Sequence, residues 1–344
     1  MNTDRRSFLQ KLSLSGIAVA VASPIFATGR AVAATTINTE KAMNVAQSNF
    51  KISLAQWSLH KSFFGNTLAK GWGHFVETLQ DNPDALLQGA LHPNDFPAIA
   101  REQFGIDTIE LVNTFYFSKA GDHDYWHAFK IQCQQLGVQV GLIMCDALGD
   151  LGDADENTRN AAVKNHYAWV DIAQMLGAHS IRVNASGQGS AEELAANAAD
   201  GLASLAAYGA TKRVNIVVEN HGGYSSNGQW LAAVIRAVNS PYCGTLPDFG
   251  NFCLEGSPGD CIREYDRYKG VAELAPLAKG LSAKAYDFDN MGNETTIDFL
   301  RMMQIARDAG YRGHVGIEYE GHSLTETQGI KATQLLLNRC FSEL

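Results

Sequence analysis

The feature that most constrains the fold is an alternation, repeated eight times, between a short apolar run and a longer amphipathic stretch. The apolar runs cover residues 52–57, 108–112, 138–145, 180–183, 214–219, 244–246, 280–284 and 315–318. The amphipathic stretches cover residues 94–103, 122–136, 156–176, 191–209, 227–238, 260–278, 295–309 and 325–342. Strands that alternate with helices form a parallel sheet, and eight such units favour closure into a barrel. The sequence therefore predicts one α/β domain, a (β/α)8 TIM barrel, over residues 51–344.

One connection in this pattern is much longer than the others. Residues 60–92 separate the first apolar run from its helix, whereas a usual loop after a strand has only a few residues. The segment contains Phe63, Phe64, Trp72 and Phe75, so it carries enough apolar surface to pack against the barrel. We expect this insertion to form either a cover over the barrel mouth or a peripheral subdomain.

The N-terminus has the pattern of an export signal. Arginines at positions 5 and 6 precede a moderately apolar run at 12–27 and a small-residue cleavage site, Ala-Val-Ala, that ends at Ala33. This pattern resembles a bacterial twin-arginine signal, and the alternative is the basic N-terminal helix of a cytosolic protein. We therefore expect residues 1–33 to direct the folded chain through the twin-arginine translocase to the periplasm, and residues 34–50 to be a linker.

Composition excludes several classes of partner. The net charge is −9, and removal of residues 1–33 makes it −12, so a nucleic-acid backbone would be repelled. Beyond the N-terminus the chain has no apolar run of 18 residues, so no segment of the mature body is predicted to span a membrane. The six cysteines form no C-x-x-C pair, and we expect most of them to be buried small hydrophobic residues.

Acidic residues stand at the ends of several predicted strands. Glu219 ends the fifth run, Asp248 follows the sixth, and Glu318 ends the eighth. The carboxyl ends of barrel strands meet at one mouth, where three buried carboxylates would repel one another strongly. A divalent cation relieves that repulsion, and oxygen donors favour Mn²⁺ or Mg²⁺, with Zn²⁺ or Co²⁺ as alternatives. The three acids are thus predicted metal ligands, and the alternative for each is a rim carboxylate or a helix cap.

These strand ends resemble those of the xylose isomerase-like barrels, a family of sugar isomerases and epimerases with dehydratase and endonuclease branches. The resemblance covers about residues 51–340 in element order. It implies metal ligands Glu, Asp, His and Glu from the fifth to eighth strands, and Glu219, Asp248 and Glu318 match three of them. Ser282 stands where the family has its histidine ligand. We expect either three carboxylates and water to hold the ion, or a nearby histidine such as His221 or His322 to substitute, or the site to be degenerate.

Five further residues are expected to line a sugar-binding pocket: Asn251, Lys284, His221, Glu110 and Trp57. Asn251 stands where the family has a substrate-binding histidine. Lys284 ends the seventh run, and its alternative is an ion pair with a neighbouring carboxylate. His221 precedes two glycines in the turn after the fifth run, and its alternative is a plain loop histidine. For Trp57, the alternative to stacking on a sugar ring is a place in the core.

The residues and the resemblance together predict a metal-dependent sugar isomerase or epimerase that acts through an ene-diolate. Glu219 and Glu318 are the expected proton-transferring carboxylates, in either order. The same enolate could expel a β-substituent, which would make the protein a dehydratase or lyase, and a non-catalytic carbohydrate-binding barrel is the second alternative. The expected partner is a small unphosphorylated carbohydrate, because no phosphate cradle is evident. The oligomeric state is left open, a homo-oligomer included.

Overall fold

The computed structural model describes residues 50–257 and 260–344, which belong to one compact unit. The predicted signal peptide, and the predicted linker up to residue 49, lie outside the described residues. Phe50 is buried and stacks on Phe341 at 5.5 Å, so packing against the barrel begins one residue before the predicted start of the domain. Within the described residues, the search for a helix with the length and hydropathy of a membrane span found none.

Eight parallel strands form the barrel in the predicted order. They are β1 (Lys51–Ala55), β2 (Thr108–Val112), β3 (Gln139–Met144), β4 (Ser180–Val183), β5 (Asn215–Glu219), β6 (Cys243–Leu246), β9 (Leu281–Ala285) and β10 (His314–Tyr319). Strands β7 (Cys253–Ser257) and β8 (Asp260–Glu264) form a separate two-stranded sheet. From β1 to β6 each strand pairs with the next along the chain, β9 pairs with β10, and β10 pairs with β1, so the sheet runs from β6 through β1 to β9. Parallel bridges from Thr245 to Ala278 and from Asp248 to Ser282 join its two edges. The predicted (β/α)8 fold is confirmed.

Within the described residues the chain forms ten α-helices, of which the last eight cover the outside of the sheet and the first two belong to the insertion. They are α1 (His60–Phe64), α2 (Trp72–Asp81), α3 (Phe96–Phe104), α4 (His123–Leu136), α5 (Glu156–Leu176), α6 (Ala191–Lys212), α7 (Gly228–Val238), α8 (Arg267–Leu274), α9 (Phe299–Asp308) and α10 (Glu326–Ser342). Side-chain caps fix where several of them begin. Ser190 and Glu193 form a reciprocal capping box at the start of α6, which satisfies two backbone N–H groups that the helix leaves free.

One predicted helix is wrong in its first part. The stretch 260–278 was expected to be helical, but its first five residues form β8 (Asp260–Glu264), which pairs antiparallel with β7 (Cys253–Ser257). A disulfide between Cys253 and Cys261 closes this hairpin, and a cross-link of that kind leaves no trace in hydrophobic periodicity. Helix α8 begins only after Asp266, whose carboxylate accepts the backbone N–H groups at its start. The other four cysteines are free and buried, as expected.

The insertion at residues 60–92 packs along the carboxyl ends of the first strands. Its helices α1 and α2 bury Phe63, Phe64 and Phe75 against the barrel. At the far end of α2, Gln80 Nε2 donates a hydrogen bond to the Ala147 carbonyl, 3.0 Å away in the loop after β3. The insertion therefore reaches from the end of β1 to the loop that follows β3.

Candidate active site

Three acidic side chains meet at the carboxyl ends of the strands. Glu219 is the last residue of β5, Asp248 follows β6 by two residues, and Glu318 is the next-to-last residue of β10. All three are buried, and one carboxylate oxygen from each lies within 4.8 Å of the others. The structure therefore brings together the three acids that the strand ends indicated. We refer to them below as the acid triad.

Hydrogen bonds from neighbouring loops fix Asp248. Asn220, directly after β5, accepts the Asp248 backbone N–H at 2.8 Å and donates to the Asp248 carbonyl at 3.0 Å. The Asp248 Oδ1 atom accepts the backbone N–H groups of Gly250 and Asn251, each at 2.8 Å. One oxygen of the Asp248 carboxylate thus closes the turn after β6, and the other oxygen is directed toward the other two acids of the triad.

Ser282, on β9, lies against two members of the triad. Its hydroxyl oxygen is 2.6 Å from Asp248 Oδ2 and 3.2 Å from Glu318 Oε2. This is the position that the family resemblance assigns to a histidine ligand. With serine at this position, the atom next to these two acids is a hydroxyl oxygen rather than an imidazole nitrogen.

Lys284 supplies a buried positive charge on the same strand. Its ammonium nitrogen lies 2.9 Å from Glu318 Oε1, 3.5 Å from Glu320 Oε1 and 3.9 Å from Asp248 Oδ2. Burial alone would lower the pKa of Lys284, but these carboxylates raise it well above its usual value. The lysine therefore stays charged, and its expected alternative role, an ion pair, is present in the structure.

Arg182 supplies the second buried positive charge, and it is not among the site residues predicted from the sequence. Its Nη1 atom lies 2.6 Å from Asp146 Oδ1, and its Nε atom lies 2.8 Å from Glu219 Oε2. The second contact is an ion pair without hydrogen-bond alignment. Burial would raise the pKa of Asp146, but Arg182 holds it below its usual value. Asp146 is held further by Asn184, whose amide donates to it at 2.9 Å.

Signals for the missed residues were present in the sequence. Arg182 is a charged residue inside a four-residue strand, and a charge in such a place is costly unless it is paired. Asp146 follows the third apolar run, as the triad acids follow theirs. Glu320 stands two residues after Glu318, and the two-residue period of a strand puts both on one face.

Two triad acids have raised pKa values. Burial raises the pKa of Glu219 to about 7, with a further contribution from Glu318, although Arg182 opposes the shift. Burial also raises the pKa of Asp248 to about 7, and Lys284 opposes it. Asn251 Nδ2 donates to Glu219 Oε1 at 3.2 Å, so this predicted substrate residue also orients a triad acid. The two cationic side chains thus only partly offset the effects of burial and of the neighbouring acids on these pKa values.

Glu110 lies within β2 rather than at its end. It is buried, accepts a hydrogen bond from Ser53 Oγ at 2.6 Å, and leaves its Oε2 atom without a hydrogen-bond partner. Gly316 faces it, and a Cβ at that position would lie 2.6 Å from Oε2. Burial raises the pKa of Glu110 to about 8, because Ser53 compensates it only in part. A glycine on β10 therefore makes room for a carboxyl that is mostly protonated at neutral pH.

Trp57 and His221 lie at the rim of the site. Trp57 Nε1 donates to Glu320 Oε1 at 2.5 Å, and its ring stacks on His60 with centroids 5.0 Å apart. His221 is exposed to solvent, but the surrounding protein atoms partly desolvate its ring. This desolvation, together with the positive charge of Arg182, lowers the pKa of His221. Each of the five predicted pocket residues therefore interacts with a charged group of this site or with a residue bonded to one.

The donor set fits a divalent cation. The triad offers three carboxylate oxygens within reach of one another, and Glu219 Oε2 has no hydrogen-bond partner although it is buried. Burial penalises the charged forms of Glu219 and Asp248, and a bound cation would offset that penalty. Oxygen donors, carboxylates above all, are those that Mg²⁺ and Mn²⁺ prefer.

Comparison with known sequences and folds identifies the family. The sequence model of the family described as xylose isomerase-like TIM barrel matches residues 98–340. The chain belongs to this family. A comparison with curated protein sequences finds no match. The solved structures similar to this xylose isomerase-like barrel include sugar epimerases and metal-bound proteins.

Three of these structures illustrate the similarity. The apo form of 3-keto-D-glucoside 4-epimerase from E. coli is 15% identical, with a TM-score of 0.58 over 85% of this chain and 100% of the other. A xylose isomerase-like protein from Mycobacterium smegmatis, in complex with magnesium, is 15% identical, with a TM-score of 0.57 over 85% and 96%. An L-ribulose 3-epimerase is 15% identical, with a TM-score of 0.58 over 85% and 94%. At these identities the similarity establishes the fold.

Proposed function

We propose that this chain is an exported, metal-dependent isomerase or epimerase that acts on an unphosphorylated keto sugar. The observation that carries the proposal is the acid triad, in which Glu219, Asp248 and Glu318 bring carboxylate oxygens within 4.8 Å of one another. The names of similar structures, among them a D-tagatose 3-epimerase-like protein, support a sugar substrate. The disulfide of the β7–β8 hairpin supports an oxidising compartment, where such bonds persist.

The acid triad would hold the cation, with the Ser282 hydroxyl beside it. When bound, a divalent cation orients neighbouring hydroxyl and carbonyl oxygens of a sugar and stabilises negative charge that develops on them. Because the donors are all oxygen, we propose Mg²⁺ or Mn²⁺ as the resident ion. One similar solved structure contains magnesium and another contains zinc, which supports a divalent cation in a barrel of this fold.

We assign the proton transfer to Glu219 and Glu318. As the C–H bond next to the carbonyl breaks, one carboxylate oxygen accepts the proton, and the electrons form a carbon–carbon double bond. The carbonyl oxygen gains negative charge, and the other carboxyl group then returns a proton to carbon. The proposal leaves the order of the two residues open.

The two buried cations balance the charge of the intermediate. Lys284 Nζ, 2.9 Å from Glu318 Oε1, can shift its hydrogen bond to a substrate oxygen that becomes negative. Arg182 keeps Glu219 and Asp146 in place from the opposite side. Asn251 offers an amide beside Glu219, and this donor suits a sugar hydroxyl.

The test is proton exchange at carbon. Full-length protein loaded with Mn²⁺ is incubated in D₂O with ketohexoses, and products are followed by NMR and mass spectrometry. We expect an isomeric product of unchanged skeleton with one deuteron at the reacting carbon, and a loss of about 10³-fold in the Glu318→Gln variant. Glu192→Gln, on the exposed face of α6, is the control and should retain full activity.

Other outcomes would overturn the proposal. A product lighter by one water, or a released substituent, would make the protein a lyase. Sugar binding with neither deuterium exchange nor product would make it a binding protein. Less than about half an equivalent of metal after purification and reloading would remove the cation from the scheme.

A further inference from the structure

Trp72, the first residue of α2, is an exposed aromatic side chain with no role in the site described above. It is 48% exposed, whereas the other four tryptophans are buried or half-buried. Phe75 stacks on one of its faces, with centroids 5.1 Å apart and planes within 15°. Because Phe75 covers one face of the ring, the exposed surface of Trp72 lies on the remaining face and the ring edges.

Trp72 is joined to the acid triad by a continuous line of contacts. Its ring meets the Trp57 ring edge-on, with centroids 6.4 Å apart and planes at 76°. Trp57 Nε1 donates to Glu320, Glu320 lies 3.5 Å from Lys284 Nζ, and Lys284 pairs with Glu318. The insertion therefore places an exposed aromatic side chain next to Trp57, which contacts the charged site.

Trp57 itself has little free ring surface. His60 stacks on it at 5.0 Å, and Phe64 and Phe115 contact it edge-on, each with centroids 6.2 Å away. These contacts fix Trp57 as a support between the charged site and the insertion. The open face for a ligand belongs to Trp72.

We propose that Trp72, supported by Trp57, forms a subsite for a second sugar ring, so that a two-ring keto-glycoside is a better substrate than a free monosaccharide. The inference rests on the proposed function, because the acid triad would hold the reacting ring. Sugar rings present C–H groups on one face, which pack on an open aromatic face in the same way as other apolar surface. The second ring lies beyond the rim, and its hydroxyl groups stay in water.

The test compares the binding of one ring with the binding of two. Titration calorimetry of the Mn²⁺-loaded full chain uses D-fructose and three disaccharides in which glucose or galactose is linked to fructose: isomaltulose, turanose and lactulose. We expect at least one disaccharide to bind about tenfold more tightly than fructose. Trp72→Ala should reduce that ratio to about one, whereas Trp72→Phe should retain most of it.

The controls separate this inference from the proposed function. Leu335→Ala removes a comparably exposed apolar side chain on α10 and should leave the binding ratio unchanged. Equal affinity of the wild type for fructose and all three disaccharides would overturn the subsite, as would a ratio that survives Trp72→Ala. Turnover of fructose under either result would leave the isomerase proposal standing. Absence of any sugar binding would overturn both.

Discussion

The two glutamates of the acid triad face each other but are held by different partners. On the β5 side, Glu219 is paired with the guanidinium of Arg182, which also pairs with Asp146. On the β10 side, Glu318 is paired with the ammonium of Lys284. A guanidinium holds its partners in a fixed planar arrangement, whereas an ammonium is a compact charge whose hydrogen bonds reorient easily.

This difference indicates a rigid half and an adjustable half of the site. Arg182 joins the ends of β3, β4 and β5 through two acids, so it is part of the framework. Lys284 has three carboxylates within 4 Å and can redistribute its hydrogen bonds among them when a ligand arrives. We therefore expect loss of the arginine to affect mainly stability, and loss of the lysine to affect mainly catalysis.

Removing each cation in turn is the largest test of this comparison. Arg182→Met should lower the free energy of unfolding by about 3–5 kcal/mol, because Asp146 and Glu219 would remain buried without a counter-charge. Lys284→Met also removes a counter-charge, from Glu318, Glu320 and Asp248, but it should in addition reduce kcat far more than Arg182→Met does, by about 10²-fold or more. Urea unfolding and steady-state kinetics measure the two effects.

A surface ion pair provides the matched control. Lys212→Met removes a pair with Asp171 that lies 2.7 Å apart on the outside of the barrel and should change stability by less than about 1 kcal/mol. If Arg182→Met and Lys284→Met lost stability and kcat in equal proportion, the two halves would not differ in the way described.

Replacing Ser282 tests how the adjustable half selects its metal. Ser282→His would place a nitrogen donor beside Asp248 and Glu318, and nitrogen donors suit Zn²⁺ better than Mg²⁺ or Mn²⁺. We expect the ratio of Zn²⁺ to Mn²⁺ affinity to rise roughly 10- to 100-fold, measured by competition with a chromophoric chelator. Ser282→Ala is the control, in which this ratio should not rise. An unchanged ratio in Ser282→His would place the bound ion away from β9.

The rigid half was the part least visible in the sequence. The strand ends predicted Glu219, Asp248 and Glu318, because an acid after an apolar run of a parallel barrel must lie at the mouth. Arg182 stands inside its strand, so the same rule does not identify it. Its partners come from β3 and β5, and such pairings depend on the curvature of the closed sheet, which a periodic pattern does not contain.

The fold itself was largely predictable. All eight strands and most of the helices follow from the alternation of apolar runs and amphipathic stretches, since that pattern is local. The β7–β8 hairpin is the exception, because residues 260–264 pair with β7 across a turn, where the Cys253–Cys261 bond also joins the two strands, and this non-local pairing is not visible in a helical periodicity. The direction taken by the insertion was likewise set by tertiary contacts, such as that between Gln80 and Ala147.

The smallest test concerns Glu110, whose charged form would repel both halves through Glu318 and Glu219. Its pKa rises from an ordinary value of 4.5 to about 8 in the folded chain, so between these values the folded state holds a proton that the unfolded state releases. Stability from this group is therefore complete below about pH 4.5 and is lost as pH rises toward 8.

Glu110→Gln keeps the shape of the side chain and removes its titration. Between pH 5 and 8.5 the Tm of the metal-free variant should therefore fall by a few degrees less than that of the wild type, as measured by calorimetry. A chelator in both samples prevents metal binding from masking the difference. Parallel Tm curves would mean that Glu110 is already ionised in the folded chain. Gly316 would then make room for a charged carboxylate, and Arg182 and Lys284 would balance the charge of one more acid.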